Sequence, residues 1–290
     1  MYKIGVIGKG FVGSAVAHGF SHGVGYDAEI KIYDKDPSKS HNTLEEVVNS
    51  SDFIFISVPT PSKANGSISL KILEDCLTDI HGVAENKENS KAIFLIRSTV
   101  VPGTTRKLQE KYPLMNLVFN PEFLTERSAY FDFISQTRFI IGGEAKHAGK
   151  VSELYRHRFG ETISIVETDF ESAELTKYVC NTFFATKVSF LNEMRILADK
   201  VNANWDDVIE GFLRDGRVGN SHSQVPGPDG KYGFGGSCFP KDIQALIKFG
   251  EELSVDLAVI KGAWKTNLLV RPEKDWENLK GRAVVDTTED

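Results

Sequence analysis

The stretch that most constrains the fold stands at the start of the chain. Lys3-Ile4-Gly5-Val6-Ile7 is short, apolar and followed at once by glycines, the pattern of a buried parallel strand. Gly8-Lys9-Gly10-Phe11-Val12-Gly13 comes next, and Ser14-Ala15-Val16-Ala17 continues at helical spacing. Strand, G-x-G-x-x-G turn and helix, in that order, make a dinucleotide fingerprint in its required setting. Gly8 makes the turn, Gly10 lets the backbone approach a pyrophosphate, and Gly13 packs helix on strand. The helix N-terminus, with Phe11 and Val12 at its start, then offers amide donors to the phosphates.

The second strand, Glu29 to Asp34, ends in an acid where a carboxylate meets the ribose hydroxyls of NAD. That carboxylate repels a 2′-phosphate, so NAD is expected over NADP, although Lys35 and Lys39 follow it. Further strands are expected over 53–58, 92–96, 116–119 and 138–143, alternating with helical patterns. Their ends carry Pro59-Thr60-Pro61, Ser98-Thr99 and Asn120-Pro121-Glu122-Phe123-Leu124. Open parallel sheets bind ligands beyond the carboxyl ends of their strands. Turn chemistry alone accounts well for Pro59 and Pro61, but poorly for Glu122 inside an apolar frame.

After Gly160 the pattern changes. Thr168-Asp169-Phe170-Glu171 has the form of a capping box. The segment to about Val201 then runs without glycine or proline, which predicts one helix about 45 Å long at 1.5 Å per residue. Such a helix bridges domains or forms a dimer seam. Lys177 and Asn181 lie four apart and share one of its faces; spacing alone reads this pair equally well as a polar stripe. The expected fold is α/β: an N-terminal doubly wound parallel sheet, then an all-helical central domain built on the long helix. The expected division is 1–165, 166–270 and a charged tail over 271–290.

The second constraint is late. In Phe234-Gly235-Gly236-Ser237-Cys238-Phe239-Pro240-Lys241-Asp242 a cysteine follows two glycines and precedes a lysine and an acid. Adjacent glycines point to positive φ or to backbone passing close to a ligand. Helical spacing resumes at Asp242, which puts Cys238 on a loop entering a helix, where thiols gain nucleophilicity. A buried structural thiol is the plain alternative; the glycines, Lys241 and Asp242 favour a covalent nucleophile.

Charge and composition exclude other roles. Forty acidic against thirty-four basic side chains give a net charge of −6. No basic run with interleaved aromatics stands out, so nucleic acid is not an expected partner. No apolar run reaches the length of a membrane span. Met1-Tyr2 runs straight into the first strand, leaving no room for a signal peptide. Cys76, Cys180 and Cys238 are odd in number and far apart, which is no disulfide framework. A cytoplasmic protein with no metal site is expected.

Taken together, these stretches resemble the nucleotide-sugar dehydrogenase family, its UDP-glucose-oxidising members most closely. The resemblance rests on Gly8–Gly13, Val58-Pro59-Thr60-Pro61, Ser98 to Thr104, Asn120 to Leu124, Ala173 to Tyr178 with Asn181, and Gly233 to Asp242. It implies a Rossmann-type NAD domain and a four-electron oxidation of a primary alcohol to a carboxylate, UDP-glucose to UDP-glucuronate. It further implies a water base held by Asp242 and Lys177, with Lys177 and Asn181 stabilising negative oxygen. Cys238 would carry the thiohemiacetal and thioester, and Glu122 with Thr99 would direct hydrolysis. Gly8, Gly10, Phe11, Val12, Gly13, Asp34, Lys35, Thr60 and Thr99 would hold NAD. Phe123, Leu124, Glu126, Phe234, Gly235 and Lys241 would meet the substrate, Lys241 at its phosphate and Glu126 as a second carboxylate near the base. Arg217 would reach the substrate of a partner subunit, implying a homodimer about the long helix. Family members carry a third domain with no counterpart in this sequence, which implies a fragment, a naturally short form or a different headgroup. Two alternatives remain: a two-electron dehydrogenase of the 6-phosphogluconate or β-hydroxyacid type, and a non-catalytic nucleotide-binding remnant.

Overall fold

In the computed structural model, residues 1–84 and 91–286 are described. Seven strands form one sheet: β1 Lys3–Ile7, β2 Glu29–Tyr33, β3 Phe53–Ile56, β4 Ile93–Ile96, β5 Asn116–Phe119, β6 Arg138–Gly143 and β7 Ser164–Thr168. Their order is β2-β1-β3-β4-β5-β6-β7. The pairs from β2 to β5 are parallel, β6 runs antiparallel to β5, and β7 is parallel to β6. Every residue of β3 and β4 is buried, which is why both read as unbroken apolar runs. The strand β7 is not foreseen from the sequence. Its residues are mostly exposed and alternate weakly, since an edge strand has little apolar face to declare itself.

The helices are α1 Phe11–Gly19, α2 Leu44–Ser50, α3 Lys71–Ala84, α4 Thr104–Lys111, α5 Ala129–Ser135, α6 Ala145–Phe159, α7 Phe170–Lys200, α8 Trp205–Leu213, α9 Phe239–Glu252 and α10 Ala258–Val270. The long helix α7 has 31 residues, as its spacing predicts. Its cap is a different residue from the one expected. Thr168 is occupied in β7, paired with Gly142, and the Asp169 side chain instead accepts the Ser172 N–H at 2.7 Å. Asn204 caps α8, its Oδ1 accepting the Asp206 N–H at 3.1 Å.

Two compact units result: Met1–Thr60 with Leu70–Lys177, and Pro61–Ser69 with Tyr178–Asp290. The first therefore extends past 165 and takes in the start of α7. There Ala173 packs on β6 so closely that a Cβ on Gly142 would lie 2.5 Å from its own Cβ. The core of this unit gathers Val6, Phe20, Phe55, Leu95, Phe133 and Tyr155, with Phe139 stacked on Tyr155 at 3.7 Å. Fully burying each such side chain contributes about 1.5–3 kcal/mol.

The second unit has two small cores, one around Ala185, Val188, Phe234, Ile243 and Ala263, the other around Leu191, Ala198, Trp205 and Val225. Residues 271–286 belong to it rather than forming a separate tail. Arg271 and Trp276 are buried, and Ser62 exchanges backbone hydrogen bonds of 2.9 Å with Ala283 and Val285. The last four residues of the expected tail, 287–290, lie outside the described residues. Among the described residues, no helix is long and apolar enough to cross a membrane.

Candidate active site

In the first unit the fingerprint is held by close backbone contacts. Gly8 has φ +91°, and a Cβ there would lie 2.6 Å from the Ser57 carbonyl oxygen. A Cβ on Gly13 would lie 2.0 Å from the Gly8 oxygen, whereas Gly10 has nothing within 4 Å of that position. The turn therefore packs inward at Gly8 and Gly13 and leaves open space over Gly10. Gly10 is the N-cap of α1 and makes no side-chain cap bond, so no cap side chain occupies the first amides of the helix. Asp34 follows β2, its Oδ2 accepting the Lys9 N–H at 2.6 Å and its Oδ1 the Asp36 N–H at 2.9 Å. The carboxylate is thus fixed beside the glycine turn, while Lys35 is exposed. Open space, uncapped amides and a fixed carboxylate fit a dinucleotide.

The loops beyond β3 and β4 are tied together. Thr60 Oγ1 donates to the Thr99 carbonyl at 2.8 Å, and Ser98 Oγ to the Val58 carbonyl at 2.6 Å. Beyond β5, Glu122 is buried with one oxygen on the Leu124 N–H at 2.7 Å. Its other oxygen accepts from Lys177 Nζ at 2.8 Å, and the same ammonium donates to the Glu122 carbonyl. Lys177 also lies 5.3 Å from the centre of the Phe123 ring, with Arg138 at 4.6 Å from it. Leu124 is buried. Glu126 is instead exposed, on a single 3₁₀ turn, so the two carboxylates of this loop stand in different surroundings.

In the second unit Asn181, one turn beyond Lys177 on α7, donates through Nδ2 to Asp242 Oδ2 at 2.6 Å. Lys241 Nζ donates to Asp242 Oδ1 at 2.5 Å, and all three side chains are buried. Lys241, expected to present its charge to a phosphate, is turned onto its neighbour: a buried carboxylate needs a charged partner, and Lys241 is that partner. Cys238 is the N-cap of α9, whose first backbone bond runs from the Asp242 N–H to the Cys238 carbonyl at 2.9 Å. Its thiol is half-buried, 3.8 Å from Ser237 Oγ.

The glycine loop ahead of the thiol is clamped by side chains that no motif in the sequence marks. Asn192 Oδ1 accepts the Gly233 N–H at 3.0 Å. Asn267 takes both backbone groups of Phe234, its Oδ1 accepting the N–H at 2.7 Å and its Nδ2 donating to the carbonyl at 3.0 Å. Gly235 lies flat against Arg271, where a Cβ would come 2.6 Å from the guanidinium. Arg271 in turn donates to Asp275 at 2.8 and 2.7 Å and to Asp229 at 2.6 Å. The Asp275 bond holds Arg271 above the ordinary guanidinium range, and Arg271 holds Asp275 below the usual carboxylate range. The available signal was two asparagines inside helical patterns, where they are poor helix formers. Arg217 is exposed and paired in a fork with Asp215. Among the described residues, no group of three or more His, Cys, Asp or Glu could hold a metal ion.

A Rossmann-type dinucleotide-binding unit, followed by a helical unit with a cysteine at a helix start, is the class these features define. Family models specify it further. The NAD binding domain of the UDP-glucose/GDP-mannose dehydrogenase family matches residues 38–159, and the central domain of the same family matches residues 171–268. UDP-glucose 6-dehydrogenase of Rickettsia prowazekii is 35% identical over 254 residues, covering 84% of this chain and 56% of the relative. UDP-glucose 6-dehydrogenase YwqF of Bacillus subtilis is 34% identical over 78% of this chain and 50% of its own length. The solved structure of a UDP-glucose dehydrogenase from Pyrobaculum islandicum aligns with a TM-score of 0.78 and 30% identity, over 93% of this chain and 68% of that one. The chain belongs to the UDP-glucose/GDP-mannose dehydrogenase family, and its first unit is the family's NAD-binding domain. It spans about half the length of the curated relatives it matches. The fingerprint itself, before residue 38, stands on its own geometry.

Proposed function

We propose that the chain oxidises the C6 primary alcohol of a nucleotide sugar to a carboxylate, with UDP-glucose as substrate and UDP-glucuronate as product. The observation that carries this reading is Cys238 at the start of α9, one turn before a buried Asp242 that both Asn181 and Lys241 hold. A two-electron dehydrogenase needs no thiol on such a loop. Gly8–Gly13 would hold NAD⁺ and Asp34 its adenosine ribose, and bound NAD⁺ would supply the hydride acceptor for each of the two oxidations of that carbon. The water held by Asp242 and Lys177 takes the hydroxyl proton, and Lys177 and Asn181 donate to the oxygen as charge develops on it. The Cys238 thiolate then bonds to the aldehyde carbon while the carbonyl oxygen gains a proton, giving the thiohemiacetal. Loss of the second hydride leaves the thioester. Water, placed by Thr99 and activated by Glu122, adds to that carbon, the C–S bond breaks, and the thiolate returns. One alcohol and one water are consumed, and two hydrides and three protons leave, for each carboxylate formed. Phe123, Leu124, Phe234 and Gly235 line the sugar-nucleotide, and Lys241 fixes Asp242.

A second copy of the chain is the proposed partner. Val179, Phe183, Phe190, Leu197 and Val201 on α7 are each 47–64% exposed, at helical spacings that form one row. Arg217, exposed on its turn, would reach the partner's substrate. A panel of nucleotide sugars with NAD⁺ tests the reaction: two NADH per acid product support it, and one NADH per product supports the two-electron alternative. Sedimentation of the wild type against Phe190→Glu tests the dimer, which the charge should split.

A further inference from the structure

We infer that Glu174 is a positioning residue, whose carboxylate fixes the start of α7, and hence Lys177, to the loop that carries Thr99. This rests on the roles proposed above for Lys177 and Thr99. Glu174 is fully buried, one turn before Lys177. Its Oε2 accepts the Gly103 N–H at 2.6 Å, and its Oε1 accepts the Thr105 N–H at 2.7 Å. These are amides of the first turn of α4, whose own N-cap, Gly103, has φ +89° and no side chain with which to cap. A residue of α7 therefore does what a cap on α4 would do, and joins the two helices in doing so.

The geometry requires two acceptor oxygens on one side chain. Two N–H groups converge on its two oxygens, whereas an amide offers one acceptor and would set its NH₂ against the other donor. The α4 dipole also favours a negative group at this end. The link continues beyond α4. Through Thr60–Thr99 and Ser98–Val58 the same loop is tied to the residues after β3. One turn further along α7, Lys177 closes onto Glu122 after β5. Glu174 is thus the buried contact between α7 and the β4 loop, beside the exposed Arg106–Glu171 pair of the same two helices and independent of the Lys177–Glu122 pair.

The test uses the full chain with Glu174→Gln, and Glu174→Asp as a second variant that keeps the charge but withdraws it by one methylene. Hydrogen exchange is followed over residues 97–105, and the labelling rate of Lys177 by an amine-reactive reagent is read by mass spectrometry. The Gln variant is expected to exchange Thr99 and its neighbours at least tenfold faster and to label Lys177 at least tenfold faster. Its kcat should fall about 10- to 100-fold with KM for NAD⁺ within about threefold of wild type. The Asp variant should fall between wild type and Gln on each measure. If only the Gly103 and Thr105 amides exchange faster, with Lys177 labelling and kcat unchanged, Glu174 caps α4 and nothing more, and the inference fails. Exchange and labelling need no turnover, so an inactive wild type would overturn the proposed reaction while leaving this test intact.

Discussion

Glu122→Gln probes the buried ion pair and the hydrolytic step together. The carboxylate and the Lys177 ammonium are 7% and 4% exposed and 2.8 Å apart. Removing one member of a buried pair typically costs about 3–5 kcal/mol, because the remaining charge is left unneutralised. Glutamine keeps the volume, and its oxygen still accepts one hydrogen bond worth about 1 kcal/mol. The net loss should be about 2–4 kcal/mol, and at about 2–4 °C per kcal/mol the melting temperature should fall by roughly 5–15 °C. Urea denaturation measures the stability. The double variant Glu122→Gln/Lys177→Met should lose clearly less than the two single losses added, since no buried charge remains. In the reaction, hydride transfer should proceed and hydrolysis should stall. Rapid mixing should show a burst of up to two NADH per site, and intact mass should show an adduct on Cys238. Turnover within threefold of wild type with no adduct would refute the hydrolytic role, and a stability change under about 0.5 kcal/mol would refute the buried pair.

Further outcomes follow from single sites. Cys238→Ser should keep the loop and show a trapped adduct or a small NADH burst without steady turnover; acid formation near the wild-type rate would make the thiol structural. Asp34→Ala should narrow the preference for NAD⁺ over NADP⁺ with the fold intact, since a strand-end carboxylate supports little core; wild-type use of NADP⁺ as good as NAD⁺ would contradict the ribose assignment. Burial raises Glu174 to about 7 from an ordinary 4.5, against the pull of its Thr105 and Gly103 bonds. A raised carboxyl stabilises the fold below its unfolded value and loses that stabilisation as pH rises through its folded value. Measured against Glu174→Gln, wild-type stability should therefore fall by about 3 kcal/mol between pH 4.5 and 8, and a pH-independent difference would show that this carboxyl is not held out of water.

The sequence was most informative where a function depends on backbone or on short spacing. The glycine turn between β1 and α1 is legible because only glycine tolerates φ +91° at Gly8 and the close approach of Gly13 to the Gly8 carbonyl. The strands β1, β3 and β4 are legible because burial on both faces requires unbroken apolar runs. The length of α7 is legible because nothing in it breaks a helix, and four-residue spacing puts Lys177 and Asn181 on one face. The edge strand β7 was not legible, since its pairing with β6 lies in backbone bonds that any side chain permits.

Partnership was decided by the tertiary structure. Residue types nominate Glu122, Lys177, Asp242 and Lys241, but leave open which charge neutralises which. Folding assigns Lys177 to Glu122 across 55 positions and Lys241 to the residue beside it. The clamps on the thiol loop are also distant in sequence: Asn192 is 41 residues from Gly233, and Asn267 is 33 from Phe234. Such contacts carry no periodicity. A buried polar group must find a partner somewhere, and where it finds one depends on which loops the packed helices bring within about 3 Å.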